Sequence, residues 1–438
     1  MNFFSNLQFT KENYFNLLIS LIPVSFIAGN MLININILII IFSALIVFGK
    51  NLFKINYFFL DKIIFLFFIL ILFTGVYNDI EFFIDNAFPK GIHTILKSIF
   101  FLKYLLLYIV IRSLIEKKNL NLKFFFISCA FFSLFVCFDI FYQFIFGKDI
   151  FGLEITNARK LSGPFGDELI AGSYLQRFSL FLFFLVPLYY KKYLTNYFKY
   201  LLPILFIVCF VAIILSGNRM PLLLFLFTIF LTLIFQKQAR KYFLHFLVIF
   251  PVVFLIIYNS NSQVKINFDS LSKKMFAGLT MIVNNDLRNE NTPDYLKEFI
   301  SFHETWKMNR YIGGGIKNFR YYCHIRPNID KNRGIICNMH PHNYYLEILT
   351  ETGIVGLTIV LSIFLITLYY TFYKKYFSIS KLNNNNIIIP FIFLFIAEIF
   401  PLKSTGSFFT TGNTTYLFFI LAILISLANK DKSIEKNT

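Results

Sequence analysis

The chain alternates between long apolar runs and short polar connections. Twelve of the runs suit membrane-spanning helices, for which about 20 apolar residues are typical. They lie at residues 15–29, 31–49, 60–77, 97–115, 124–146, 170–190, 200–216, 218–235, 243–259, 343–372, 387–402 and 413–428. The predicted fold class is therefore all-α: a polytopic membrane protein of about 12 transmembrane helices, with one large extracytoplasmic loop between spans 9 and 10.

Basic residues predict which side of the membrane each connection occupies. They follow every even-numbered run, at Lys50, Lys54, Arg112, Lys117, Lys118, Lys123, Lys191, Lys192, Lys199, Lys237, Arg240, Lys241, Lys374, Lys375, Lys381, Lys430, Lys432 and Lys436. Lys and Arg are enriched in cytoplasmic connections, so we expect both termini in the cytoplasm. The chain then divides into spans 1–9 (residues 1–259), an outer loop with short helices (260–342), and spans 10–12 with a cytoplasmic tail (343–438).

Composition agrees with this class. The 438 residues are 57% hydrophobic, and mean hydropathy is +0.66. The formal net charge of +18 would suggest nucleic acid as the partner of a soluble protein. Here the basic residues lie in short connections on one side of the membrane, so we expect membrane lipids around the chain and no nucleic-acid partner.

The outer loop contains its own structural signals. A helix with an apolar stripe is predicted from Tyr295, Leu296, Phe299, Phe302 and Trp306. This stripe is expected to pack on the membrane surface or on a second loop helix within residues 268–279. Cys323 and Cys337 lie outside the membrane and are predicted to form a disulfide. Cys129, Cys137 and Cys209 lie within apolar runs and are interpreted as packing residues.

A polar segment with His340, His342 and Asn343 immediately precedes the tenth run. A helix that begins near His342 would place this segment at the mouth of a membrane span. A neutral histidine there suits proton abstraction near physiological pH. The ligand spacing of a metal site is missing around the two histidines, so we expect neither a metal nor a cofactor. His303 is a second candidate, and its alternative is an ordinary surface histidine.

Two arginines at membrane depth are candidate anion contacts. Arg219 follows a minimal outer turn and could hold an anion at the outer mouth, or could simply extend to the membrane surface. Arg177 lies about two turns into an apolar helix, where a charge needs a cavity or a partner. Asp167 and Glu168 are the candidate partners. A structural ion pair and a substrate contact remain equally open for Arg177.

Three motifs together resemble the family of bacterial O-antigen ligases and O-antigen polymerases. His342-Asn343, followed after nine residues by Gly353 and after two more by Gly356, resembles that family's signature. Residues 216–219 resemble its turn of small residues before an arginine, and residues 161–168 resemble its entry to the sixth span. The order of the motifs and the large outer loop also fit the family.

The resemblance implies a metal-independent membrane glycosyltransferase at the periplasmic face of the bacterial inner membrane. The donor would be a glycan on undecaprenyl diphosphate; a ligase transfers it to a lipid A core sugar, and a polymerase to another lipid-linked glycan. The resemblance implies essential roles for His342 and Arg219. Family members often carry an arginine before the tryptophan-like position of the loop, where this chain has His303. Arg310 and Arg320 are alternatives for that second basic contact.

Two rival classes make different predictions. A flippase or transporter of lipid-linked glycans should show interrupted helices near mid-membrane and repeat symmetry between its halves. Here the candidate residues lie at outer boundaries and in one outer loop, which favours an outer-face enzyme. A non-catalytic envelope protein would not need both His342 and Arg219. Between a ligase and a polymerase, the sequence does not discriminate.

Overall fold

A computed structural model describes most of the chain. The described residues are 10–84, 93–157, 159–190, 196–236, 239–283, 294–326, 337–377 and 387–429. Within them, the α-helices are α1 (Lys11–Ser20), α2 (Ile22–Ile27), α3 (Asn30–Phe48), α4 (Phe59–Ile84), α5 (Thr94–Glu116), α6 (Leu122–Phe146), α7 (Ala171–Tyr189), α8 (Asn196–Leu215), α9 (Arg219–Phe235), α10 (Phe243–Ser260), α11 (Ser262–Val283), α12 (Asp294–Trp306), α13 (Phe319–Ile325), α14 (Tyr344–Leu368), α15 (Ile388–Glu398) and α16 (Thr411–Asn429).

The chain is a multi-pass membrane protein. Among the described residues, eight helices are long and apolar enough to cross a membrane, and three shorter apolar helices accompany them. Each predicted run coincides with helical structure, although the predictions for several runs need correction. Helix α4 continues beyond the run at 60–77 to Ile84. The run at 15–29 is divided between α1 and α2, and the run at 387–402 ends as a helix at Glu398. The run at 343–372 is interrupted at Gly353.

The basic connections that follow α3, α5 and α7 meet at one end of the helical bundle. The Lys117 ammonium donates to the backbone carbonyl of Asn51, which joins the exits of α5 and α3. The Lys123 ammonium lies 4.7 Å from the ring centroid of Tyr190, at the exit of α7. We call this end of the bundle the basic end.

Arg112 contributes to the basic end differently from the other basic residues. Its side chain is fully buried and pairs with Asp61 on α4 and with Glu116 one turn later on α5. The Tyr108 hydroxyl donates to the same Asp61 carboxylate. Arg112 therefore holds α4 and α5 together as a compensated buried charge.

The described part of the segment predicted as the outer loop (residues 260–342) folds over the opposite end of the bundle. Asn78 near the end of α4 donates to the carbonyl of Gly313 and accepts from the Tyr322 hydroxyl. Asn318 donates to the Thr94 hydroxyl at the start of α5 and accepts from the Lys97 ammonium. These polar contacts fix the loop on α4 and α5, so we call this end the loop end.

Helix α14 is interrupted, and the loop backbone fills the interruption. Gly353 has φ +67°, and a Cβ at this position would collide with the backbone carbonyl of Tyr311. The amides of Gly314 and Gly315 donate across the interruption to the carbonyls of Thr350 and Glu351. In the other direction, the amides of Ile354 and Val355 donate to the carbonyls of Arg310 and Tyr311. Non-helical backbone within a membrane span requires such partners, because lipid offers no hydrogen bonds.

A small second core stabilises the loop. Phe302 on α12 and Phe319 on α13 are buried and stack with ring centroids 5.9 Å apart. The structure joins Cys323 and Cys337 in a disulfide beside these rings. This core packs on the first turns of α14 through the partly buried Leu346 and Leu349. The Phe302 part of the predicted stripe thus faces the loop's own core, whereas Phe299 is exposed, and the side chains of Tyr295 and Leu296 lie outside the described residues.

Candidate functional site

A cavity of about 590 Å³ opens at the loop end of the bundle. Its polar lining includes Lys160, Glu168, Arg177, Asn218, His340, His342, Lys403 and Asn413. Its apolar lining includes Phe26, Ile33, Phe165, Leu169, Ile170 and Pro221. The cavity therefore offers cationic and histidine side chains beside an apolar wall.

The base of the cavity is an ion network that crosses three segments of the chain. Arg177 on α7 donates to both carboxylate oxygens of Glu398 on α15, over 3.2 and 2.8 Å. The Lys403 ammonium, in the segment between α15 and α16, lies 2.7 Å from Glu398 Oε1. All three side chains are buried. Two positive charges thus surround one negative charge, which leaves a net charge of +1 next to the cavity.

Neutral groups complete this network. The Tyr344 hydroxyl donates to Glu398 Oε1 over 2.5 Å, and the Lys403 ammonium lies 3.1 Å from the same hydroxyl. The Arg177 guanidinium also donates to Asn413 Oδ1 over 2.6 Å. Because Tyr344 is the first residue of α14, the network fixes the start of the helix that His342 precedes.

The partner predicted for Arg177 was wrong. Asp167 and Glu168 are both exposed, and the Arg177 guanidinium pairs with Glu398 instead. Burial explains the difference: a guanidinium inside the bundle needs a carboxylate that is also inside. Of the two predicted partners, Glu168 lines the cavity and Asp167 does not. Arg177 is both a member of an ion pair and a cavity-lining residue.

The two histidines lie together at the cavity mouth. The ring centroids of His340 and His342 are 5.1 Å apart, and both residues line the cavity. Partial burial, together with the neighbouring His342 and Arg320, lowers the pKa of His340 to about 4. His340 is therefore neutral at physiological pH. His342 is more exposed, with 44% of its side-chain surface accessible.

Asn343 fixes the backbone next to His342. Its side-chain oxygen caps α14 by accepting from the amides of Tyr345 and Leu346. Its side-chain nitrogen donates to the backbone carbonyls of Pro401 and Lys403. Asn343 therefore joins the two segments that carry His342 and Lys403.

Arg219 lies beside the cavity rather than among its lining residues. Its guanidinium donates to the backbone and side-chain oxygens of Asn267 and, over 2.5 Å, to the hydroxyl of Ser270. These partners on α11 are neutral, so they leave the positive charge of Arg219 uncompensated. The preceding residue, Asn218, does line the cavity and donates to the backbone carbonyl of Leu169.

The other predicted basic contacts are spread over the loop. His303 is exposed and lies against Trp306, with ring centroids 5.9 Å apart. Arg310 is exposed, and its backbone carbonyl accepts from the Trp306 indole. Arg320 is also exposed, but it is close enough to His340 to lower the pKa of that histidine. None of these three side chains is among the lining residues of the cavity described above.

Two residues of the ion network were missed from the sequence, although each left a signal. Glu398 is a carboxylate within the apolar run at 387–402, where an ionisable residue is costly. Lys403 is a lysine at an odd-numbered exit, against the alternation of the basic connections. The described residues contain no group of three or more His, Cys, Asp or Glu side chains that could hold a metal ion.

The comparison with known families covers two of the three motifs. A sequence model described as O-antigen ligase matches residues 204–361, which extend from α8 into α14. The matched segment includes Arg219, the loop helices and both histidines of the cavity mouth. The resemblance to the O-antigen ligase and polymerase family is thereby confirmed. No curated protein matches the chain.

Proposed function

We propose that this member of the O-antigen ligase family transfers a glycan from undecaprenyl diphosphate to a lipid A core sugar at the periplasmic face of the bacterial inner membrane. The cavity carries the proposal, because it combines the two requirements of such a donor. Arg177 and Lys403 supply positive charge for a diphosphate, and an apolar wall that includes Ile33 and Ile170 suits the adjoining lipid. Both histidines of the motif lie at its mouth.

The proposed topology follows from the two ends of the bundle. The chain crosses the membrane twelve times, with both termini at the basic end in the cytoplasm. Residues 260–342 lie in the periplasm, between a nine-span part (1–259) and a three-span part (343–438). The meeting of the exits of α3, α5 and α7 supports this orientation, since basic connections favour the cytoplasm.

In the proposed reaction, the acceptor hydroxyl attacks the anomeric carbon of the donor glycan. A new glycosidic bond forms as the bond from that carbon to the diphosphate oxygen breaks, so direct displacement inverts the anomeric centre. His342 takes the proton of the hydroxyl. Arg177 and Lys403 stabilise the negative charge that develops on the leaving diphosphate, which gives the reaction a cationic site without a metal.

Arg219 adds a further positive charge at the rim of the cavity in this proposal. Lys160, which lines the cavity, is close enough to Arg219 and Arg159 for their charges to lower its pKa, after the larger effect of its own burial. The three side chains therefore form a cationic rim on one side of the mouth. A diphosphate that enters along this rim would meet Arg177 and Lys403 at the base.

The test is complementation of a deletion strain with wild type, His342→Ala or Arg219→Ala, followed by gel analysis of envelope glycolipids and a blot for protein level. We expect wild type to restore glycolipid ladders and both variants, though present, to fail. Asn267→Ala is the matched control for Arg219, because it removes one of the acceptors of the guanidinium on α11, the side-chain oxygen, but keeps the charge. It should retain transfer.

The residual pattern of the deletion strain identifies the acceptor. A bare core band with accumulated long lipid-linked glycan indicates a ligase, whereas a core that carries a single repeat indicates a polymerase of the same family. Normal ladders with His342→Ala would contradict the proposed base. Unchanged glycolipids in the deletion strain would contradict the substrate class and leave transport of a lipid-linked glycan to be assayed.

A further inference from the structure

A carboxylate of the outer loop faces the site histidine. Glu298 on α12 has its Oε1 atom 3.9 Å from Nε2 of His342. The two side chains are 23% and 44% exposed, so bulk water screens their interaction only in part. The ring of His340 flanks His342 at 5.1 Å and is nearly perpendicular to it, with an interplanar angle of 73°.

The loop fixes the position of Glu298. Asn338 donates its side-chain amide to Glu298 Oε1, the same oxygen that faces His342. Asn338 directly follows Cys337, whose disulfide to Cys323 anchors this segment to α13. The carboxylate is therefore held by a neighbour that the disulfide itself restrains.

A second set of contacts fixes the same helix two turns later. The buried guanidinium of Arg326 lies 3.4 Å from a carboxylate oxygen of Glu304. It also donates to the Cys323 carbonyl over 2.7 Å and lies 3.5 Å from the Ser301 hydroxyl. Helix α12 is thus attached to the disulfide region at two points along its length, which sets the direction in which Glu298 projects.

We propose that Glu298 is the positioning residue of the site histidine: it accepts the Nε2–H of His342 and leaves Nδ1 free to take the proton of the acceptor hydroxyl. This inference rests on the proposed function. A hydrogen bond would require an approach of roughly 1 Å from the present 3.9 Å. Catalytic hydrogen bonds often tighten by such amounts when substrate binds.

The proposed pair accounts for each proton in the transfer. The acceptor oxygen forms its bond to the anomeric carbon, the diphosphate leaves with the bonding electron pair, and the hydroxyl proton moves to Nδ1. The imidazolium that results keeps its Nε2–H directed at Glu298, which remains an ionised carboxylate. The carboxylate therefore stabilises the positive charge formed in this step and holds the imidazole in one tautomer.

The same geometry explains why His342, and not His340, is the base. The pKa of His340 is lowered to about 4 by partial burial, by His342 and by Arg320. A group with so low a pKa is a poor proton acceptor near neutral pH. The Glu298 carboxylate faces His342, so the two histidines of the motif have different electrostatic surroundings.

The variant Glu298→Gln removes the negative charge of this side chain and keeps its size and its oxygen acceptor. The glutamine keeps an oxygen that can accept from Asn338, so the loop should keep its fold, while the negative charge beside His342 is lost. The assay uses purified protein in lipid vesicles, with lipid-linked glycan and acceptor glycolipid extracted from the deletion strain. We expect kcat to fall at least about tenfold, against the roughly 10²–10⁴-fold contribution of a general base, with the donor KM within about twofold of wild type.

Glu304→Gln is the matched control, since it makes the same change on the same helix but beside Arg326. The glutamine oxygen can still accept from the Arg326 guanidinium, so the attachment of α12 to the disulfide region should remain, and kcat should stay within about twofold of wild type. Equal losses in both variants, or a rise in donor KM that parallels the loss of kcat, would assign Glu298 a purely structural role and overturn the inference. A kcat for Glu298→Gln like that of wild type would also overturn it, even with His342→Ala inactive. Activity in His342→Ala would instead refute the proposed function.

Discussion

The protonation state of the buried Lys403 determines the net charge of the ion network beside the cavity. Its pKa is lowered to about 8, chiefly because burial removes the hydration of the ammonium. Glu398 opposes this shift and Arg177 adds to it. The protonated form is therefore stabilised by one neighbour and destabilised by another, and it titrates close to physiological pH.

Raising the pH through about 8 should weaken donor binding. Deprotonation of Lys403 removes the net positive charge of the network, so the donor KM should rise by up to about tenfold per pH unit above that value. Measuring the donor KM between about pH 7 and about pH 9 tests this, with Lys403→Arg as a comparison that stays charged. A KM that rises equally in Lys403→Arg would exclude Lys403 as the titrating group.

The stability of the fold should change in the opposite sense over the same range. The pKa of Lys403 is lower in the folded protein than in the unfolded chain, so the unfolded state binds more protons above about pH 8. This residue's contribution to stability therefore increases with pH until the unfolded pKa is reached. As the pH rises above about 8, donor binding should therefore weaken while the protein stays folded.

Sequence reasoning found the site residues that belong to local motifs and missed those defined by distant contacts. His340, His342 and Arg177 stood out because polar groups at membrane depth are rare. Glu398, in contrast, is 221 residues away from Arg177, and no local pattern pairs them. Glu298 was missed for the same reason, because only the folded loop places its helix beside His342.

At the scale of the element, Gly353 is the residue that allows the interruption in α14. Its positive φ favours glycine, and the loop backbone at Tyr311 occupies the space of any Cβ. Apolar runs predicted where the spans lie, because length and hydropathy determine them. The interruption in α14 could not be predicted, since it exists only where another segment supplies hydrogen bonds.

Gly353→Ala should destabilise the protein by roughly 1–3 kcal/mol or more, because the substitution combines backbone strain with a collision. Gly412→Ala on α16 is the control: its φ is not positive, and a Cβ there would find its nearest atom at an ordinary 3.6 Å. Thermal unfolding in detergent and limited proteolysis of the loop are suitable measurements. Equal stability of the two variants would contradict the structural role given to Gly353.

At the scale of the whole molecule, polar chemistry is divided between two ends. The basic end holds compensated or exposed cations, whereas the loop end holds the cavity, both histidines and the disulfide. The sequence predicted this division from alternating charge alone. It could not predict how deeply the cavity enters the bundle, which depends on how α7, α14 and the segment before α16 meet.

The division predicts a labelling pattern. Of five cysteines, Cys129, Cys137 and Cys209 are buried and the other two are disulfide-bonded. In spheroplasts, an impermeant maleimide should react with the partly exposed Cys337 after reduction and with no thiol before it, since Cys323 is buried. A cysteine introduced by Lys118→Cys, at the exposed basic end, should react only after permeabilisation. Labelling of Lys118→Cys in intact spheroplasts would reverse the proposed orientation.

The backbone hydrogen bonds exchanged at Gly353 make residues 310–315 and α14 one structural unit. Residues 310–315 supply hydrogen bonds that residues 350–355 cannot make for themselves, so neither segment is complete alone. A chimera that takes its loop from a relative must therefore take this part of the span as well. Exchange points between Cys323 and Cys337 would separate residues 310–315 from residues 350–355. Exchange points before α12 and after residue 355 would keep the two segments together.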